Sequence, residues 1–388
     1  MTVLGILIPL VLIALSGHII WKSTESFESA ADFLGRHMSQ GVKGATINAV
    51  ASSMPEFLTT MFFLFYIRDE GAFADSFSGG LGVVSGSAIF NILIIPAAVI
   101  FFGAPARSET PLEINRGIFR RDGLFLIFSN IVLILLISKP RLTWIDGFIL
   151  VVIYLAYLFL LRKGFGFTRN EERGSVEHRI PYVPLKAKHF LRLELKQVLL
   201  NGRTLTNGNA AVSLLVSVAV MSIGTWMLVE GTELLGRDTY SFWGIEGLRG
   251  LDLPIIFLSV LLASAATSIP DTMISVRDAR RGNHDDSISN AVGSNIFDIS
   301  FALGLPLLIY TMIHHDVTMS EDVRIWSLST LVVMWVINML VYPIVIWKRI
   351  SIRTKGFLML ILYTLFITFV IEESVRAWLS ELIRSLMA

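Results

Sequence analysis

Ten apolar stretches run through this chain, and they constrain its fold more than any other feature. They cover roughly residues 3–22, 42–67, 77–102, 121–138, 143–162, 207–235, 251–277, 286–312, 323–347 and 356–374. A helix needs about 20 apolar residues to cross a bilayer core, and lipid admits only segments whose backbone polar groups are satisfied internally. Only 16% of the 388 residues are charged, against about 25% in soluble domains. The expected fold is an all-α polytopic membrane protein with ten transmembrane helices. The first stretch lacks a charged n-region and is too long for a signal-peptide core, so it is read as a retained span.

Composition removes several function classes. The chain has no cysteine, which excludes thiol catalysis, iron–sulfur clusters and cysteine-based zinc sites. A formal net charge of +1 implies no broad basic surface for nucleic acid. No HExxH, GxSxG or paired Ser/His arrangement is present, so no enzyme is expected, and no cofactor.

Lysine and arginine alternate across the loops. The loops after the first, third, fifth, seventh and ninth stretches, with the stretch ends that flank them, carry 24 of the 32 basic residues. By the positive-inside rule these loops face the cytoplasm. Both termini are then expected outside, with the hydrophilic loop 163–205 inside, in a bacterial inner membrane. That loop divides the stretches five and five, giving domains 1–162 and 206–388. An odd number per half makes the second half enter from the opposite side, which is the inverted-repeat plan of secondary transporters.

The halves also share motifs. Ala51-Ser52-Ser53-Met54-Pro55-Glu56 corresponds to Ala266-Thr267-Ser268-Ile269-Pro270-Asp271. Gly86-Ser87-Ala88-Ile89-Phe90-Asn91-Ile92 corresponds to Gly293-Ser294-Asn295-Ile296-Phe297-Asp298-Ile299, identical at five of seven positions. The motifs lie in two repeat regions, about 42–102 and 251–312.

A carboxylate inside a membrane helix costs at least a few kcal/mol and marks function by default. Helical spacing puts Ser52, Ser53 and Glu56 on one face, and Thr267, Ser268 and Asp271 on another. Ser87 with Asn91, and Ser294 with Asp298, are one turn apart. Pro55 and Pro270 have no N–H to give the carbonyls of Ala51 and Ala266, which frees two more oxygens. Serine and glycine in membrane helices often serve only packing, but packing has no need of three acids. Carboxylates, hydroxyls, an amide and carbonyls form a hard oxygen set suited to Ca²⁺ and also to Na⁺.

These paired motifs resemble the two α-repeats of the cation/calcium exchanger superfamily. The versions at 86–92, 268–271 and 293–299 are most similar to its potassium-dependent sodium/calcium branch. The resemblance implies Glu56 and Asp271 as principal calcium ligands. It implies Ser52, Ser53, Thr267 and Ser268 as sodium or calcium ligands, with Ser87, Asn91, Ser294 and Asp298 beside them. Ala51 and Ala266 stand where the family usually has glycine. The expected activity is exchange of Ca²⁺ for Na⁺, with K⁺ as a co-transported ion, and proton-driven exchange as the alternative. The expected partners are inorganic cations and the lipid bilayer, for a protein functional as a monomer.

Overall fold

The computed structural model describes residues 2–36, 38, 42–66, 73–103, 116–164, 180–184, 186–187, 189, 192–347 and 349–387. Arg169, Arg173 and Arg179 of the expected cytoplasmic loop lie outside them. The described chain is overwhelmingly helical, and eight helical runs are long and apolar enough to cross a membrane. These are Val3–Leu34, Phe77–Gly103, Trp144–Arg162, Asn207–Gly236, Ile255–Arg280, His284–Ile313, Glu321–Ile346 and Ile352–Arg376.

The other two expected stretches are also helical, for different lengths. The 42–67 stretch is interrupted, and its apolar part is the short helix Met54–Phe65. The 121–138 stretch is part of a helix over Arg116–Ile137, whose start carries Arg120, Arg121 and Asp122. The first helix also runs on to Leu34, well past the expected end near residue 22. There Glu28 is buried and pairs with Arg277 of the other half. An ion pair supplied from elsewhere lets the helix continue through residues that read as a loop.

Burial separates central from peripheral spans. In the most apolar window of Phe77–Gly103, 78% of residues are buried in the protein, against 28% for Val3–Leu34 and for Ile352–Arg376. The central helix packs in the main core with Leu126, Leu133, Tyr154, Val260, Ile296 and Leu303. A smaller cluster joins Ile13, Ile20, Phe63, Val83, Leu228 and Leu258. The outer spans turn leucine and phenylalanine outward, as lipid-facing helices do.

Connections between spans are short and locally specified. Thr206 opens the Asn207–Gly236 helix with a capping box: its hydroxyl accepts from the Asn209 N–H, and the Asn209 side chain accepts from the Thr206 N–H, satisfying otherwise orphaned donors. A hairpin of Thr239–Phe242 and Ile245–Arg249 follows. Its two-residue turn, Trp243-Gly244, has positive φ at both positions, 46° and 82°, as a primed turn requires. Tyr240 in the hairpin donates to the Gly5 carbonyl at 2.5 Å, tying it to the first helix. Arg141–Leu142 pairs antiparallel with Val317–Thr318, linking connections from the two halves.

Candidate cation site

Two interrupted helical runs cross at the centre, and their architecture repeats residue for residue. A π-helical segment Gly44–Asn48, an α segment Ala49–Ser52 and the helix Met54–Phe65 form the first. Ser259–Ala263, Ser264–Thr267 and Ile269–Arg280 form the second. Every segment starts 215 residues after its counterpart. Both runs break at the serine before the proline: Ser53 at φ −89°, ψ 6° and Ser268 at φ −82°, ψ −3°. Proline is tolerated in the first turn of the new helix and not in an unbroken one, so Pro55 and Pro270 explain where each break falls. Each break brings Glu56 or Asp271 into the positive N-terminal turn of the helix it starts, which favours a carboxylate.

Glycines let the second helix of each pair approach. A Cβ on Gly86 would lie 2.7 Å from the Ser264 Cβ, and one on Gly293 would lie 2.7 Å from the Ala45 Cα. Each half thus presses the Gly-Ser face of one helix onto the interrupted run of the other half. Ser87 with Asn91, and Ser294 with Asp298, are carried to the breaks in this way.

Ser52, Glu56, Ser87, Asn91, Ser268, Asp271 and Ser294 meet in one hydrogen-bonded network with no solvent exposure. Ser87 donates to Glu56 Oε1 at 3.0 Å, and Ser268 donates to Ser87 at 2.9 Å. Asn91 donates to Asp271 Oδ2 at 3.2 Å, and Ser294 donates to Asp271 Oδ1 at 2.7 Å. Ser52 lies 3.3 Å from Ser294, although it donates more closely to the Asn48 carbonyl at 2.9 Å. Thr267 turns back to its own helix, donating to the Ser264 carbonyl at 3.1 Å. Ala51 and Ala266 are buried beside the breaks: Ala51 packs with Phe27 and Ala31, and Ala266 contacts the Gly17 position of the same first helix.

Asp298 is different. It opens a second kind of irregularity, a π-helical segment Asp298–Ala302, a feature often found at functional sites. Glu56 and Asp271 are the like charges that act on it. Neither Asp298 carboxylate oxygen makes a hydrogen bond of normal geometry among the described residues, although the Ser53 and Ser87 hydroxyls face it, and Glu56 Oε2, Asn91 Oδ1 and Ser53 Oγ make none either. Buried polar atoms without partners are rare because each carries its full desolvation cost. Among the described residues no three acids or histidines gather closely enough to hold an ion by themselves. Any ion held here draws on hydroxyl and amide oxygens as well.

Sequence reasoning missed Asn290, Ser275, Asn48 and Asp278. Asn290 donates to Asp271 Oδ1 at 3.4 Å and to Ser275 at 3.0 Å. Asn48 donates to Asp278 at 2.9 Å. A signal existed, since all four sit one or two helical turns from a motif residue.

The profile of the family described as sodium/calcium exchanger protein matches residues 8–163 and 209–372, most of the chain. This chain belongs to the sodium/calcium exchanger family. Mouse sodium/potassium/calcium exchanger 2 is 39% identical over 120 residues, 30% of this chain and 17% of the mouse protein. The match therefore spans less than a fifth of that relative's length. Longer alignments are more distant. Mouse sodium/potassium/calcium exchanger 4 is 22% identical over 86% of this chain and 75% of its own length. An uncharacterized membrane protein of Methanocaldococcus jannaschii is 23% identical over 89% of this chain and 92% of its own. Among solved structures, the sodium-calcium exchanger NCX_Mj soaked with Na⁺ and Sr²⁺ superposes with a TM-score of 0.56 at 20% identity, covering 94% of this chain and 99% of that one. The H⁺/Ca²⁺ exchanger CAX gives 0.56 at 16% identity, covering 98% and 92%. Both likenesses are of fold.

Proposed function

We propose that this protein is a secondary antiporter exchanging Ca²⁺ for Na⁺ by alternating access. The observation that carries the reading is the set of five buried oxygens without a hydrogen bond, on Ser53, Glu56, Asn91 and Asp298, together with the one hydroxyl and amide network that holds Glu56 and Asp271. Carboxylates flanked by neutral oxygens suit a hard cation. The same ligands serve Ca²⁺ or Na⁺ but not both at once, so each ion crosses in exchange for the other. Glu56 and Asp271 are the principal anionic ligands in this reading. Ser52, Ser53, Ser87, Asn91, Thr267, Ser268, Ser294 and the carbonyls of Ala51 and Ala266 complete the set as the ion or the state changes. No resident cofactor takes part.

The topology proposed is ten spans in two inverted five-helix repeats, 1–162 and 206–388, joined by the loop 163–205. The matching segments 215 residues apart support it, as does the two-part family match at 8–163 and 209–372. Both termini are placed outside and the loop in the cytoplasm of a bacterial inner membrane, on the alternation of basic residues. One chain contains both halves of the site, which supports a functional monomer.

Asp298 tilts the reading toward K⁺ co-transport. With Glu56, Asp271 and Asp298 ionised, Ca²⁺ alone leaves one uncompensated negative charge in low dielectric, which is costly. A K⁺ beside it, or three Na⁺ in the exchanged state, balances the site. A proton on Asp298 would do the same, and the fold shared with CAX keeps proton-driven exchange as the second reading. The test is ⁴⁵Ca²⁺ uptake into proteoliposomes with Na⁺, K⁺ and H⁺ gradients imposed separately. Uptake driven by an outward Na⁺ gradient is expected. Uptake driven only by a pH gradient would install the proton reading.

A further inference from the structure

Three helices carry the polar stripe of the candidate site onward, with amides and carboxylates in one direction only. On Ile269–Arg280, Asp271 is followed by Ser275 and Asp278, at i+4 and i+7, all buried. On His284–Phe297, Ser294 is preceded by Asn290 and Asp286 at one-turn intervals, both buried. On the first interrupted run, Asn48 lies one turn before Ser52. Contacts tie the stripe together. Asn290 reaches Asp271 and Ser275, Ser52 donates to the Asn48 carbonyl, and Asn48 donates to Asp278. Asp286 accepts from the Gly44 N–H at 3.3 Å.

The stripe ends near a charged surface. Lys43 pairs with Asp32, Arg281 lies 3.8 Å from the same carboxylate, and Glu28 pairs with Arg277. This end is the one that carries the 163–205 loop, because Ala30 and Phe33 of the first helix pack with Ile180, Leu200 and Leu205.

The repeat supplies an internal control. The counterparts of Asn48, Ser275, Asp278, Asp286 and Asn290 are Ala263, Thr60, Phe63, Gly79 and Val83. Phe63, Val83 and Ala263 belong to one buried apolar cluster. A Cβ on Gly79 would lie 2.7 Å from the Phe63 ring, so the ring seats directly on that helix. The same backbone carries buried amides and carboxylates toward one face, and toward the other only hydroxyls, such as Thr60 and Ser259, among apolar side chains. Packing accounts for the apolar end. It does not account for a buried Asp278 whose hydrogen-bond partner is a neutral amide.

We propose that this three-helix stripe is the cation route between the candidate site and the loop-bearing face. Asp278 is the carboxylate at its mouth, positioned by Asn48, and Phe63 seated on Gly79 closes the equivalent route toward the other face. The proposal rests on the reading of the protein as a cation exchanger. A carboxylate lining a low-dielectric cleft raises the local cation concentration and speeds capture.

The native absence of cysteine makes accessibility directly readable. In proteoliposomes of defined orientation, Ser275→Cys is expected to react with a cationic methanethiosulfonate reagent from the loop-bearing face, more slowly in saturating Ca²⁺. Its counterpart Thr60→Cys is expected to be unreactive from that face. Reaction of Ser275→Cys from the opposite face, or from neither, overturns the route. Asp278→Asn is expected to raise the half-saturating Ca²⁺ roughly tenfold on the loop-bearing face, the low end of such focusing effects, and to leave the opposite face unchanged. An equal change on both faces, or none, overturns the role of Asp278. Failure of wild-type protein to move Ca²⁺ would remove the exchanger reading, while the labelling pattern would still decide whether the route exists.

Discussion

Glu56, Asp271 and Asp298 each sit fully buried in the helical runs that meet at the site, where an unmatched charge is costly. The partners of Glu56 and Asp271 are hydroxyls and amides, which orient a carboxylate without neutralising it. Neutralisation therefore falls to the transported ions. Glu56→Gln or Asp271→Asn removes one anionic ligand while keeping the shape. Loss of a charge from a buried pair typically costs about 2–5 kcal/mol, so Ca²⁺ affinity is expected to fall at least about 30-fold. Ca²⁺ uptake by a well-expressed protein checks this, and near-normal flux in Glu56→Gln would remove the site. Asp298→Asn lowers the site charge from −3 to −2, which Ca²⁺ alone balances. Exchange is expected to persist in part and to lose its K⁺ dependence. If wild-type exchange is equal with and without K⁺, the potassium assignment fails, and the proton assignment is left to a pH profile of the same variant.

At the scale of the element, the breaks at Ser53 and Ser268 and the glycine crossings form one device. Each proline and each acid sit in the first turn of the helix that follows the break, and each glycine lets the opposing helix close on the break. Gly293→Ala places a methyl 2.7 Å from the Ala45 Cα, backbone that no rotamer change can move. Overpacking of this kind costs about 1–3 kcal/mol. The expected result is a lowered melting temperature in detergent for Gly293→Ala, and an unchanged value would show that the crossing is looser than described. Much of this device was legible in the chain, because proline, acid and glycine act through local backbone rules and appear twice. The route through Asn48, Ser275, Asp278 and Asn290 was not. Each of these gains its meaning from a side chain on another helix, 19 to 230 positions away, and no local periodicity encodes that register. Glu28 failed in the same way, since Arg277, which keeps it inside a helix, lies in the other half.

For the whole molecule, the proposal is that two copies of one plan meet at a shared network and differ mainly in which face they open. In the proposed topology the basic residues put loop 163–205 on the cytoplasmic side. Ser175→Cys is expected to resist a membrane-impermeant maleimide in intact cells, whereas Ala388→Cys is expected to react. The reverse pattern would invert the topology and the sidedness of the route. The central claim is that the two halves move Ca²⁺ and Na⁺ through one set of carboxylates, each ion obliging the other. Simultaneous ⁴⁵Ca²⁺ influx and ²²Na⁺ efflux from the same proteoliposomes tests this most directly. Coupled fluxes in the wild type, both lost in Glu56→Gln, are the predicted result. Ca²⁺ influx that continues without any counter-ion, or that survives Glu56→Gln while Na⁺ efflux stops, would contradict it.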